Sequence, residues 1–264
     1  MKSLTIPSNE QLFFWGTLTQ AKHRQKQKMF LAEGSKVVKE MLKSTAITPI
    51  AMLVLESKAD KHENLFQELH ENVPIYKLSN QQWCHFSQDK ESEGIIGIAK
   101  GLAAKNIDEV INDDNNSRLL LLHEINNPNN LGAIMRSAMW FGFNTIILSK
   151  ASVDVTNPKV IRTSMGAIFH LTIIEQADLL TVIEKVKTHY LVVATTPSSG
   201  CAPHSSAGKT ALILGNETHG LPEQISALAH ERWHIAGTQT VDSLSLPQAS
   251  AILMYECAKQ KEGN

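Results

Sequence analysis

An α/β fold in two blocks is predicted by three features of the sequence. Short apolar runs that suit strands alternate with stretches whose apolar residues recur at helical spacing. Four runs in the second half are almost unbroken apolar, the pattern of strands covered on both faces in a parallel sheet. Between Lys105 and Arg118 every charge is negative (Asp108, Glu109, Asp113, Asp114) and four asparagines intervene, which reads as a surface linker.

The 264 residues suffice for one large or two smaller domains, each able to close a core. Hydrophobic residues at 42% and charged residues at 19% exclude a disordered chain. With 25 basic and 26 acidic residues the net charge is −1, so a phosphate-binding surface has to come from local clustering. Cys84, Cys201 and Cys257 are odd in number and lack metal-like spacing, so neither a zinc site nor a disulfide framework is expected. Met1 to Glu10 is polar and contains Pro7, unlike a signal peptide. No apolar run reaches the roughly 18 residues of a membrane helix. A cytoplasmic setting is expected.

In the first block, Lys22, Arg24, Lys26 and Lys28 come first. On a helix, 22/26 and 24/28 form i, i+4 pairs, giving either a phosphate-binding face or a merely solvated one. Val37, Val38, Met41 and Leu42 then recur at helical spacing, and Ile50 to Leu55 is a strand. Leu65, Phe66 and Leu69 mark a helix, and Val73 to Leu78 a strand. Ser79 and Gln82 have capping-box spacing ahead of Trp83 and Phe86. Ile95 to Ala99 is the last strand. Helices are expected to sandwich this sheet.

In the second block the strands are Leu119–Leu122, Thr145–Leu148, Leu191–Ala194 and Thr210–Leu214. Leu179, Leu180, Ile183 and Val186 give an apolar helical stripe. Ligand chemistry in such folds collects in loops beyond the strands' carboxyl ends, and three loops carry candidate residues. His123 to Gly132 leads into a helix, with Asn130 as either its cap or a ligand contact and Arg136 as an anion binder or a solvated arginine. Leu214 to Pro222 contains Gly215 and Gly220, which permit close backbone approach, but does not match GxGxxG or GxxxxGK[ST]. Glu217 can accept hydrogen bonds from a neighbouring loop, and His219 is an acid, a base or a packing residue. In Val241 to Ala249, Ser245 and Gln248 have capping-box spacing and Pro247 suits a first helical turn.

The stretches Asn130–Arg136, Leu214–Leu221 and Asp242–Leu246 through Tyr255-Glu256 closely resemble the three motifs of the SpoU/TrmH RNA methyltransferases. Asn157–Ala167 matches another segment of that family, and the resemblance covers roughly Ser117 to Glu262. More loosely, Phe30–Gly34 and Gly94–Ala99 are similar to the family's N-terminal substrate-binding domain, which looks like ribosomal proteins L30e and L7Ae.

This resemblance implies a trefoil-knotted methyltransferase domain over 118–264 and a smaller L30e-like domain over 21–104, with an N-terminal extension over 1–20 and a linker over 105–117. It implies S-adenosylmethionine as cofactor, structured RNA (rRNA or tRNA) as substrate, and methyl transfer to a ribose 2'-oxygen. Arg136 matches the family's catalytic arginine, and Asn130, Glu217 and Ser245 complete the catalytic set. Thr195, Leu214, Gly215, Asn216, Gly220, Ile235, Leu244 and Leu246 match the cofactor pocket. Lys22, Arg24, Lys26, Lys28 and Arg162 are the RNA-binding candidates. No metal and no membrane contact are implied. A homodimer is implied, with Trp140, Ile252 and Leu253 either offering apolar surface for it or belonging to the monomer core. Two positions depart from the pattern: Ser245 stands where the family commonly has Asn, and Thr218 where it usually has Gly. A weak or inactive RNA-binding relative, a cofactor-binding scaffold that acts through protein contacts, and a base methyltransferase are the alternative readings.

Overall fold

In the computed structural model, which describes residues 3–89, 91–102, 106–206, 208–238 and 243–259, contacts divide the chain into two units. The first holds Met1–Leu102 with Asp154–Phe169, the second Ala103–Val153 with His170–Asn264.

The first unit is built on β1 (Leu4–Thr5), β2 (Met29–Glu33), β3 (Thr48–Leu55), β4 (Ile75–Leu78) and β5 (Ile95–Lys100). They lie in the order β1-β4-β3-β5-β2; β4 is parallel to β1 and β3, while β5 is antiparallel to β2 and β3. The helices are α1 (Asn9–Gly16), α2 (Ala21–Gln27), α3 (Ser35–Lys43), α4 (Glu63–Glu68) and α5 (Asn80–Trp83). Leu31, Leu53, Ile96 and Ile98 pack with Trp15, Leu18 and Trp83 in one cluster. Gly97 faces the other way, and a Cβ there would stand 2.6 Å from Met41 Cε of α3. Helices therefore cover both faces of the sheet. The residues before Gln20 are not an appendage: β1 extends the sheet, and Trp15 and Leu18 enter the core. Both halves of the Ser79/Gln82 capping box form.

Along the rest of the chain lie α6 (Ile107–Ile111), β6 (Arg118–Leu122), α7 (Pro128–Trp140), β7 (Thr145–Ser149), α8 (Pro158–Thr163), β8 (Thr172–Ala177) and α9 (Leu179–Val186). They are followed by β9 (Leu191–Thr195), β10 (Thr210–Leu214), α10 (Glu223–Ser226), β11 (Glu231–Trp233) and α11 (Leu246–Ala258). α8 belongs to the first unit, where it packs on β2 and where Phe169 stacks on Phe30.

The second unit carries a six-stranded sheet in the order β11-β9-β10-β6-β7-β8, parallel at every pairing. Leu119, Leu121, Ile147, Val192 and Ile213 share a cluster with Leu179, Ile183 and Val186 of α9. Their alternates Leu120, Leu122, Ile146, Val193 and Leu212 are equally buried, so both faces are covered. Each such side chain contributes about 1.5–3 kcal/mol relative to exposure. Leu180 leaves the stripe and is exposed, and Val182 takes the buried place.

The acidic stretch is more than a surface linker. Asn106 caps α6, Asp108 and Glu109 sit at its amino end, and Val110 and Ile111 enter the core cluster. Lys105 lies outside the described residues. No helix among the described residues is long and apolar enough to cross a membrane.

Candidate active site

The parallel register aligns the carboxyl ends of the second unit's strands. Leu214 lies opposite Leu122, Ile213 opposite Ala194, and Trp233 opposite Thr195. Two of the candidate loops leave directly from β6 and β10, and the third enters α11.

The loop after β6 is held under backbone strain. Glu124 has φ +52°, a left-handed conformation that costs a residue with a Cβ about 1–2 kcal/mol. Its N–H donates to Ser149 Oγ at 2.8 Å, and its carbonyl accepts from Asn216 Nδ2 at 2.8 Å. Asn127 then caps α7, its Oδ1 accepting from the N–H groups of Asn129 and Asn130. The cap is thus Asn127, with Pro128 in the first turn, and Asn130 is inside the helix. Its side chain is free to reach across, and Asn130 Nδ2 donates to Glu217 Oε1 at 3.1 Å. The Asn127-Pro128 pair was the signal for the cap, since proline is favoured just inside a helix start.

The loop after β10 is closed by its own backbone. Asn216 and Gly220 exchange two N–H···O bonds of 3.0 Å, and Asn216 Oδ1 accepts from the N–H groups of Thr218 (2.8 Å) and His219 (3.1 Å). A Cβ on Gly215 would stand 2.3 Å from the Gly220 carbonyl carbon, so only glycine fits there. Gly220 needs glycine for another reason: its φ is +65°, although the space beside it is open. Thr218 is exposed and has no positive φ, so its side chain is accommodated without strain.

At α11 the capping expectation fails. Ser245 occupies the N-cap, but its Oγ donates to the Gln248 side-chain oxygen at 3.0 Å and caps no backbone N–H. Pro247, with no N–H, removes one of the donors a cap would accept. Val241 and Asp242 lie outside the described residues.

Thr195, Leu214 and Ile235 lie at or just beyond the carboxyl ends of the neighbouring strands β9, β10 and β11. Thr195 donates its Oγ1 to the Ile213 carbonyl at 3.0 Å, Leu214 and Gly215 are buried, and Ile235 follows β11. Leu246 is half-buried and Leu244 exposed. The Asn216 side chain bonds through both its amide nitrogen and its oxygen within the protein and so shapes the loop. Two imidazole atoms, His123 Nδ1 and His234 Nδ1, are buried with no hydrogen-bond partner among the described residues. An unpaired buried polar atom costs about 1–3 kcal/mol.

Arg136 is exposed on α7 and pairs with no described residue. One turn further on the same face, Trp140 is 84% exposed and Met139 is also exposed. α7 packs on α11, where Ile252 and Tyr255 are exposed while Leu253 is buried, so the core reading holds for Leu253 and the surface reading for Ile252 and Trp140.

In the first unit the basic run divides. Lys22, Lys26 and Lys28 are exposed. Arg24 is 3% exposed and donates to Asp154 Oδ2, Thr156 Oγ1 and the carbonyls of Leu18 and Thr19. Each of its three guanidinium nitrogens donates within the protein and the side chain is buried, so it is a structural arginine and not a phosphate contact. The Arg24/Lys28 helical pair is also absent, because Lys28 terminates α2 at φ +54°. Arg162 is half-exposed and pairs with Asp89 at 2.7 Å. Elsewhere, burial pushes the Cys257 thiol above its ordinary range and keeps it unreactive.

Comparison with known proteins places this geometry. A model of the MRM3-like substrate binding domain matches residues 9–97, and one of the SpoU rRNA Methylase family matches residues 117–255. The chain is 24% identical to the Bacillus subtilis 23S rRNA (guanosine(2553)-2'-O)-methyltransferase RlmP, over 97% of this chain and 98% of that one. It is 26% identical to human mitochondrial rRNA methyltransferase 3, over 91% of this chain and 70% of that one. A crystal structure of an RNA 2'-O ribose methyltransferase superposes with a TM-score of 0.80 at 25% identity, covering 97% of each chain. The aligned strand ends, the bond between the first two motif loops and the match from 117 to 255 lead to one conclusion: the chain belongs to the SpoU rRNA methylase family.

Proposed function

We propose that this protein transfers a methyl group from S-adenosylmethionine to a ribose 2'-oxygen of RNA, with ribosomal RNA the class favoured by its relatives. The observation that carries this reading is the Asn130–Glu217 hydrogen bond, which joins the first two motif loops while leaving Arg136 exposed and unpaired.

When bound, the cofactor supplies an electrophilic methyl group on sulfur. Gly215, Gly220 and the backbone between them hold its polar portion, and Thr195, Leu214, Ile235, Leu244 and Leu246 line the remainder. Asn216 fixes the loop that makes this surface. Arg136 stays protonated, and its planar fork of donors orients the ribose with its 3'-phosphate and stabilises negative charge developing on the 2'-oxygen. Asn130 and Glu217 keep the two loops at a fixed separation, and Ser245, at the N-cap position of α11, bonds to the Gln248 side chain. Lys22, Lys26 and Lys28 contact RNA phosphates, and Arg162 joins them only by leaving Asp89.

The reading extends to a trefoil knot in the second unit, to a cytoplasmic location and to a homodimer. The exposed Trp140, Met139, Ile252 and Tyr255 on two helices that pack together support the dimer. Incubation with total RNA and methyl-labelled cofactor, followed by nucleoside mass spectrometry, tests the activity. Label in 2'-O-methylated nucleosides is expected. Label in a base, or none in any cellular RNA, overturns the reading in favour of a base methyltransferase or an RNA-binding relative.

A further inference from the structure

On the strand edge formed by β11, three side chains from two segments meet. The ligand-capable atoms of Cys201, His204 and Glu231 all lie within 4.8 Å of one another. Cysteine spacing alone gave no metal site, because this cluster contains one cysteine and takes its other members from a histidine three residues on and from a different strand.

Each donor is oriented by contacts that need no metal. The Cys201 backbone is stitched to β11, its N–H donating to the Arg232 carbonyl at 2.9 Å and its carbonyl accepting from the His234 N–H at 2.9 Å. Glu231 and Trp233 are two apart on β11 and share a face. Trp233 Nε1 donates to Glu231 Oε2 at 2.7 Å and fixes the carboxylate. The His204 ring packs against the Trp233 ring with centroids 5.0 Å apart. His204 Nδ1 lies 3.1 Å from the Ser205 carbonyl oxygen, which can only accept, so Nδ1 carries a hydrogen. Its Nε2 faces Glu231 Oε2 at 2.9 Å. With Nδ1 engaged in this way, Nε2 presents its lone pair on the same side as the Glu231 carboxylate and the Cys201 thiol, the arrangement a metal ion between the three would use.

We propose that Cys201, His204 and Glu231 form a zinc-binding site. Thiolate, imidazole and carboxylate together match Zn²⁺, whereas Mg²⁺ and Ca²⁺ take oxygen donors. Three protein ligands leave the fourth tetrahedral position to water. The charge of the ion is balanced by one thiolate and one carboxylate. Binding expels the Cys201 thiol proton to solvent, so affinity rises with pH. The Trp233 and Ser205 contacts act as the outer hydrogen bonds that orient metal ligands. The ion clips the segment after β9 to edge strand β11, immediately ahead of Ile235. The site is independent of the methyl-transfer reading, since it touches none of the residues assigned to that reaction.

The test uses the full chain, freed of metal by a chelator and kept reduced, with Co²⁺ as a spectroscopic probe. One equivalent of Co²⁺ is expected to give a thiolate-to-cobalt charge-transfer band and tetrahedral d–d absorption, both abolished by competing Zn²⁺. Cys201→Ser should remove the charge-transfer band, and Cys84→Ser should leave it intact. His204→Ala and Glu231→Gln should each weaken Zn²⁺ binding at least about tenfold, with circular dichroism confirming that the variants are folded. Absence of a thiolate band in the folded wild-type protein overturns the proposal, as does a band that survives Cys201→Ser.

Discussion

Asn130 Nδ2 donates to Glu217 Oε1 at 3.1 Å across 87 positions of sequence, bridging the loop that follows β6 and the loop that follows β10. The bond is exposed, so its weight in folding is small, and its effect is to fix loop separation. Asn130→Ala and Glu217→Ala should each lower single-turnover methyl transfer by at least about tenfold, equivalent to roughly 1.4 kcal/mol. Because both remove the same bond, the double variant should be little worse than either single one. Additive losses would show that the residues act separately.

The two loop glycines should respond differently. Gly215→Ala places a Cβ against the Gly220 carbonyl carbon and should distort the loop, weakening S-adenosylmethionine binding in calorimetry more than any other change there. Gly220→Ala meets no atom and bears only the left-handed backbone cost of about 1 kcal/mol. Gly220→Val adds a β-branched side chain to that turn and should weaken binding further while circular dichroism stays native. Equal affinities for all of them would remove this loop from the cofactor site.

Arg136→Lys keeps the charge and loses the planar fork. Transfer to mapped RNA under cofactor saturation should fall at least about tenfold, with cofactor affinity little changed. An undiminished rate in a folded, correctly assembled variant would assign the chemistry elsewhere.

Trp140→Glu places a charge in the middle of the exposed apolar face of α7 and α11. Sedimentation at micromolar concentration should give twice the chain mass for the wild type and a single chain mass for the variant. A wild-type protein that stays monomeric with cofactor bound would refute the dimer.

The doubly covered central strands of the second unit were the most legible part of the fold, while β2, buried at every position, was not named as a strand. Leu119–Leu122 and Thr210–Leu214 announce themselves because a strand covered on both faces has no polar alternation to confuse with helix. β8 and β11 were missed for the opposite reason. They lie at the sheet edges, and Thr-Ile-Ile-Glu-Gln-Ala and Glu-Arg-Trp are too polar or too short to stand out. β1, with two residues, offers no periodicity at all.

The site was legible as motif order and not as contacts. Asn130 was readable as a cap because its spacing is correct to within one turn, but Asn127 three residues earlier wins the backbone donors. Arg24 looked like its lysine neighbours. Only the folded chain shows Asp154 and Thr156, distant in sequence, closing around its guanidinium. Ser245 and Gln248 had the right interval, and Pro247 between them had already deleted a donor.

The order of strands in the second unit has a temporal consequence. β10 lies between β9 and β6, pairing Thr210 with Arg118 across most of the unit's sequence. During synthesis β6 can add β7 early, but its other edge stays bare until β10 emerges. That interval exposes the backbone groups of Leu119 to Leu122, four consecutive leucines, to intermolecular pairing. Non-local parallel pairing closes slowly, so the chain is most vulnerable to aggregation just before the glycine loop that follows β10 is made.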